Sequence, residues 1–325
     1  MYRILKGDLN SPTKFKEKLW DYTQNLRKMI YTNYGIDFDI EELNELLLSI
    51  CRSNDFNVIC EQEDKMFLDE DRVLDWVKNK LLPNTIIVKL DDEDVVRLLI
   101  FCIEITYQMF AGGTRATVTQ KGFRQRRRTF ESILADQFVG KLGEIFAKKY
   151  LEKNYQVNVE LDWEISTQIE RYRNDIMNAK KNVSIKSSPT LAGIWAEADI
   201  GYDYGITVKC SVPQQPILQF FIEVCGFSRL LEFAEKRIPS SNGLFKDYLS
   251  EMRKRIKEYK CGEIRTYLKG FICGYFKTSE HTPIKEGVSL PYLGIVREER
   301  YLIPINEIKW TKNEWRKFVQ EIGLL

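Results

Sequence analysis

The chain carries a single histidine, His281, among 325 residues. Catalysis by histidine pairs and histidine-rich metal sites are therefore excluded. His281 stands in the polar stretch Thr278-Ser-Glu-His-Thr-Pro283, which reads as a loop and receives no role. The seven cysteines, at 51, 60, 102, 210, 225, 261 and 273, are odd in number and show no Cys-x-x-Cys spacing. That pattern argues against a complete disulfide framework and against a zinc ribbon, and predicts reduced, mostly buried thiols. Net charge is nearly absent as well: 49 basic against 47 acidic residues leave +2, so any basic patch is a local feature. Long apolar runs are missing. The opening Met1 to Asn10 has no hydrophobic core of leader length, and the longest apolar stretch, Val95 to Phe110, is broken by Arg97 and Glu104. The expectation is a cytoplasmic chain with no membrane partner. No internal repeat and no low-complexity tract is visible.

What is present is the composition of a globular protein, 44% hydrophobic and 30% charged, with enough length for two or three domains. Residues 1–110 read as a mainly helical region for scaffolding, dimerisation or DNA contact. Ser11-Pro12 supplies an N-cap and first-turn proline, Phe15, Leu19, Tyr22, Leu26, Met29 and Ile30 form an apolar stripe, and Gly35 ends it. Further helices fit Glu41 to Ile50, Asp69 to Leu82, and Asp92 to Phe110, with acidic residues at their starts as the helix dipole favours. A long helix fits Thr129 to Glu152, with Phe130, Ile133, Leu134, Phe138, Leu142, Ile145, Phe146 and Tyr150 at helical spacing. Glu144 lies off that stripe, the ordinary place for a solvated glutamate. Its neighbours Gly140 and Gly143 suggest a close backbone approach, because glycine weakens a helix unless its missing side chain is used.

Beyond that helix the pattern turns to strands: Gln156 to Leu161, Val183 to Lys186, Gly205 to Cys210, and Ile217 to Cys225. The predicted fold class is α/β (α+β), a central mixed sheet flanked by helices, with the core in residues 111–235. A C-terminal α/β subdomain in 236–325 would contain an amphipathic helix from Leu244 to Lys260, strands at Tyr267 to Phe276 and Tyr301 to Ile308, and a last helix opened by the capping box Thr311-Lys-Asn-Glu314.

Two features carry chemistry. In the stretch from Asn174 to Ser188, Val183 and Ile185 alternate with Ser184 and Lys186, so Ser184 and Lys186 share one face of a strand. With Asp175 on a neighbouring segment, a carboxylate, a hydroxyl and an ammonium would converge where a divalent cation and a phosphodiester can both bind. Asp199 and Asp203 are spare carboxylates that would join the metal site under a different strand register and are read by default as turn residues. The second feature is Lys121-Gly-Phe-Arg-Gln-Arg-Arg-Arg128, five positive charges in eight positions. Lys121, Arg124, Arg126, Arg127 and Arg128, after the glycine-containing loop from Ala111 to Gln120, form a candidate phosphate-contacting segment.

Together these residues resemble the PD-(D/E)xK nuclease superfamily and, within it, type II restriction endonucleases. The resemblance covers roughly residues 129 to 225. It places Asp175 at the first acidic position, Ser184 and Lys186 on the following strand, and Glu144 on the preceding helix. Two positions depart from the pattern: Asn174 stands where a proline is usual, and Ser184 replaces the second carboxylate. The resemblance implies a restriction-endonuclease-like fold and a Mg²⁺-dependent (Mn²⁺ as substitute) endonuclease acting on double-stranded DNA as a homodimer. Asp175 and Glu144 would be metal ligands and Lys186 would act at the attacking water. A structure-selective or repair nuclease of the same fold, and an inactive nucleic-acid-binding module, are the rival readings.

Overall fold

The computed structural model describes residues 2–62, 65–90, 92–110, 130–164, 174–212 and 267–325, with Asp247, Ser250 and Lys254 as isolated positions. The basic segment at 121–128, the preceding loop, the expected strand at 217–225 and, apart from those three positions, the expected helix at 244–260 lie outside these residues.

In chain order the N-terminal elements are β1 (Tyr2–Ile4), α1 (Lys6–Asn10), α2 (Pro12–Tyr34), α3 (Ile40–Ser53), β2 (Ile59–Gln62), β3 (Lys65–Leu68), α4 (Glu70–Trp76), β4 (Thr85–Lys89) and α5 (Glu93–Phe110). The expected helices are present. Ser11 caps α2 through the Lys14 N–H, and Gly35 ends it at φ 69°, a left-handed conformation that glycine takes without strain. Asp39 and Glu42 form a reciprocal capping box on α3. The four short strands were not anticipated. Three of them, in the order β1-β3-β2, form a small antiparallel sheet.

The remaining elements are α6 (Phe130–Tyr155), β5 (Val183–Ser188), β6 (Trp195–Asp199), β7 (Tyr204–Ser211), β8 (Tyr267–Lys277), the small hairpin β9 (Ser289–Leu290) and β10 (Gly294–Ile295), β11 (Arg300–Pro304) and α7 (Lys312–Glu321). The central sheet has the order β4-β8-β7-β5. Its β4–β8 and β8–β7 pairs are antiparallel and its β7–β5 pair is parallel, so the expected mixed sheet is observed. Strand β4 enters this sheet from within the first 110 residues.

Parallel neighbours require a crossover, and here residues 189–203 leave the sheet and contribute β6, which pairs antiparallel with β11. Asp199 is accordingly the last residue of a strand, which corrects the turn assignment. The expected strand from Gln156 to Leu161 is also corrected: only Leu161 pairs there, through a single antiparallel bridge to Ile176.

Helix α6 crosses one face of the sheet and is buried nearly all round. Leu134, Phe138, Leu142, Ile145, Phe146 and Tyr150 share one core with Val183, Ile185, Ile206 and Val208. Gly270 of β8 makes room for the Phe146 ring: a Cβ there would lie 2.3 Å from a ring carbon. The other face is covered in part by β6 and β11, where Ala196, Ala198, Phe276 and Ile303 pack together. Elsewhere Phe271, Leu191 and Ala192 join the N-terminal core around Phe15, Leu19, Phe38, Leu47 and Trp76. Each fully buried aromatic or aliphatic side chain contributes about 1.5–3 kcal/mol. Among the described residues no helix is long and apolar enough to cross a membrane.

Candidate active site

Strand β5 is the last strand of the central sheet, so one row of its backbone groups faces away from β7. Residues 174–176 lie along this open edge. The Asp175 N–H donates to the Val183 carbonyl at 3.0 Å, and the Val183 N–H donates to Asn174 Oδ1 at 3.1 Å. The Ile185 N–H donates to Asp175 Oδ2 at 2.5 Å. Asn174 thus provides a side-chain acceptor, the role for which its type suits it at turns, and a carboxylate is clamped to the backbone of the strand that carries Lys186.

Two ion pairs flank Asp175. On α6, Lys141 Nζ lies 2.5 Å from Glu144 Oε2 and 2.7 Å from the Asp162 carbonyl. On the other side, Lys186 Nζ lies 2.6 Å from Asp199 Oδ2. Lys186 leaves the face of β5 opposite to Val183 and Ile185, and β6, which carries Asp199, covers that opposite face. Helix α6 covers the first. The strand's two-residue period therefore divides the pairs between the two sides of the sheet edge, with Asp175 between them.

Electrostatics follow from this placement. Glu144 retains only 12% of its side-chain exposure, which corrects the solvated-glutamate reading: α6 has no solvent face wide enough to leave that position free. Burial pushes the Glu144 carboxyl up to about 8, helped by the negative charge of Asp175 and opposed by the Lys141 ammonium. Burial likewise pushes Asp175 up from the ordinary aspartate value. The Ile185 N–H and the ammonium groups of Lys141 and Lys186 oppose the shift, and Asp199 adds to it. Two buried carboxylates whose proton affinity is raised by desolvation form a site that gains from a cation.

Glycine plays one of its two anticipated parts. A Cβ on Gly143 would lie 1.7 Å from Ser187 Oγ, whereas one on Gly140 would meet nothing. Gly143 therefore lets α6 rest on β5, and Ser187 Oγ donates to the Gly140 carbonyl at 3.2 Å. This contact sets the height of Glu144 over the strand.

The structure thus brings together Glu144, Asp175 and Lys186. Ser184 is only 1% exposed. It stands opposite Gly205 in register, where Phe276 and Ala198 fill the space above the glycine, so it faces the interior. Asp203 sits away from this constellation at the start of β7, accepting the Asn182 N–H at 2.9 Å. Two residues were missed. Lys141 is three positions before Glu144 on the helix, a spacing that signals a pair. From sequence Asp199 reads as a turn residue or a spare metal-site carboxylate, not as the partner of Lys186.

Hard oxygen donors from Glu144 and Asp175 suit Mg²⁺ or Mn²⁺ over Zn²⁺. No group of three or more acidic, cysteine or histidine residues placed to hold a metal occurs among the described residues. Two carboxylates would therefore leave most of the ion's coordination to water and substrate, which is the habit of Mg²⁺. Comparison of the chain with family models, with curated proteins and with solved structures gives no match.

Proposed function

We propose that this protein is a Mg²⁺-dependent endonuclease of the PD-(D/E)xK type that hydrolyses phosphodiester bonds of double-stranded DNA at a specific sequence, in the manner of a type II restriction enzyme. The observation that carries the reading is the convergence at the β5 edge of Asp175 and Lys186, singled out on chemical grounds, with Glu144 of α6, singled out by the family resemblance.

Asp175 and Glu144 would hold the metal. When bound, the ion supplies positive charge to the phosphoryl oxygens and acidifies water. Asp175 is kept in place by the Ile185 N–H, so its carboxylate needs no reordering. Lys186, steered by Asp199, presents its ammonium to the phosphoryl group and the attacking water, stabilising the charge that grows as the water oxygen bonds to phosphorus. The attacking water gives up a proton to solvent, the ester P–O bond breaks on the far side, and the leaving oxygen takes up a proton from solvent. Ser184 keeps the usual second-carboxylate position neutral and buried, so Asp199, reaching Lys186 from β6, is the acidic residue that replaces it in the site. The cluster of Lys121, Arg124, Arg126, Arg127 and Arg128 provides charge for the DNA backbone, and a homodimer would apply two such centres to the two strands of a symmetric site.

Incubation of the full chain with a mixed-sequence plasmid in Mg²⁺ or in EDTA tests the reading. Discrete Mg²⁺-dependent fragments support it. A smear, or preference for branched substrates, favours a structure-selective or repair nuclease. Intact plasmid with a mobility shift favours the binding module.

A further inference from the structure

We propose that Lys141 is a resident counter-ion that closes the carboxylate site in the free protein and must leave Glu144 before a divalent cation can bind, so that metal loading is coupled to the arrival of substrate phosphate. The proposal rests on the metal-dependent reading above and adds a control to the same site.

The lysine is held far more completely than a surface ion pair. It is 9% exposed. Two of its protons are spent on Glu144 Oε2 and the Asp162 carbonyl, at 2.5 and 2.7 Å. The ammonium also lies over the Phe101 ring at 5.2 Å and the Trp163 ring at 5.5 Å, whose faces attract cations. Phe101 meets Trp163 edge-on at 5.8 Å, and the Arg97 guanidinium stacks on Trp163 at 4.6 Å. Three segments, α5, α6 and residues 162–163, thus build one cage. Burying an ammonium carries a desolvation cost that an uncharged side chain in the same cage would not, so the charge is the feature that calls for a purpose.

That charge lies on the carboxylate a metal would need. Lys141 occupies the Glu144 oxygen directly and acts on Asp175 through space. A divalent cation shared by those two carboxylates would sit beside a like charge in a water-poor setting, where repulsion is strong. Lysine and metal are therefore alternatives at Glu144. The long flexible stem lets the ammonium swing out, and an incoming phosphodiester offers a new anionic partner. Phosphate would release the latch and supply oxygen ligands to the metal in one event.

The test is Mn²⁺ binding to the full-length chain without DNA, followed by the paramagnetic resonance signal of free Mn²⁺. Wild type, Lys141→Met, Lys141→Gln and Lys141→Met with Asp175→Asn are compared, and circular dichroism confirms that each is folded. Methionine keeps the contact with the rings, and glutamine keeps a donor for the Asp162 carbonyl. The expected result is at least tenfold tighter Mn²⁺ binding in both single variants, with the gain lost when Asp175 is also changed. Equal or weaker binding in the folded single variants overturns the latch while leaving the metal-dependent reading intact. Failure of every form to bind Mn²⁺, with or without duplex DNA, overturns both.

Discussion

Lys186 reaches Asp199 across the gap between β5 and β6, with Nζ 2.6 Å from Oδ2. Asp199 stands opposite Arg300 in the β6–β11 register, and the Arg300 guanidinium, bonded to Glu197 at 3.1 Å, lies 3.9 Å from the other Asp199 oxygen. Asp199 is thus fixed from two sides and in turn aims the lysine. Its side chain is 43% exposed, so the pair adds little to stability; its effect falls on orientation.

Asp199→Asn should therefore leave the fold intact and lower the single-turnover cleavage rate about tenfold or more, with substrate affinity nearly unchanged. Lys186→Ala should cost about a hundredfold or more, within the range for loss of a positioned charge in a transition state. Quench-flow on a cleavable duplex measures both. A rate in Asp199→Asn equal to that of wild type contradicts the orienting role.

Glu144 gives the protein a pH signature. Its folded-state carboxyl is raised from 4.5 to about 8, so the folded state binds its proton more tightly than the unfolded chain does. The stability this contributes is fully present below the unfolded value and is lost as pH rises through the folded one. At about 1.4 kcal/mol per unit the loss is a few kcal/mol. In metal-free buffer, Glu144→Gln should show no such loss, so its advantage over wild type should grow from pH 5 to 8 and level off above. Urea titrations across that range read it directly, and a pH-independent difference would oppose it.

Gly143 should tolerate no side chain. Gly143→Ala forces a methyl to within 1.7 Å of Ser187 Oγ and 2.6 Å of Ser187 Cβ, so α6 or β5 must shift, at a cost of about 1–3 kcal/mol. Adding Ser187→Gly should recover part of the loss. The melting temperatures of the single and double variants decide the matter, and absence of any recovery would show that the strain lies elsewhere.

A buried charge cluster joins the N-terminal helices to the sheet. Lys80 and Asp55 pair at 2.6 Å with side-chain exposures of 7% and 8%, and the Lys209 ammonium of β7 donates to Ser49 Oγ of α3 at 2.6 Å. Burial pulls Lys209 down to about 8, and Lys80 adds to the pull. Asp55→Ala should cost about 3–5 kcal/mol by stranding Lys80, and Asp55→Leu with Lys80→Met should restore most of it. Denaturant midpoints test this, and a mild effect of Asp55→Ala would mean that water reaches Lys80.

Much of the architecture was legible because it rests on local signals. Ser11-Pro12 and Gly35 bound α2, Thr311 and Glu314 open α7, and the alternation at Val183 to Lys186 marks β5. The parts that were missed depend on tertiary contact. Strand β6, Trp195-Ala-Glu-Ala-Asp199, has none of the β-branched residues that announce a strand. Its two alanines are small because they lie against β7 and β8, and with the strand went the partner of Lys186. Glu144 looked solvated because the pattern of α6 shows one stripe, whereas the helix is enclosed by α5, the sheet and residues 157–163. Lys141 was overlooked with it, since a lysine on a helix is ordinarily a surface residue.

The proposed function requires one metal-dependent centre at the β5 edge to cut DNA. The most direct measurement is the fate of an end-labelled pool of duplexes treated with Mg²⁺ and either wild type or Asp175→Ala. Wild type should give discrete products and a folded Asp175→Ala protein none. Undiminished cleavage by the variant, or none by wild type at any Mg²⁺ or Mn²⁺ concentration, would contradict it.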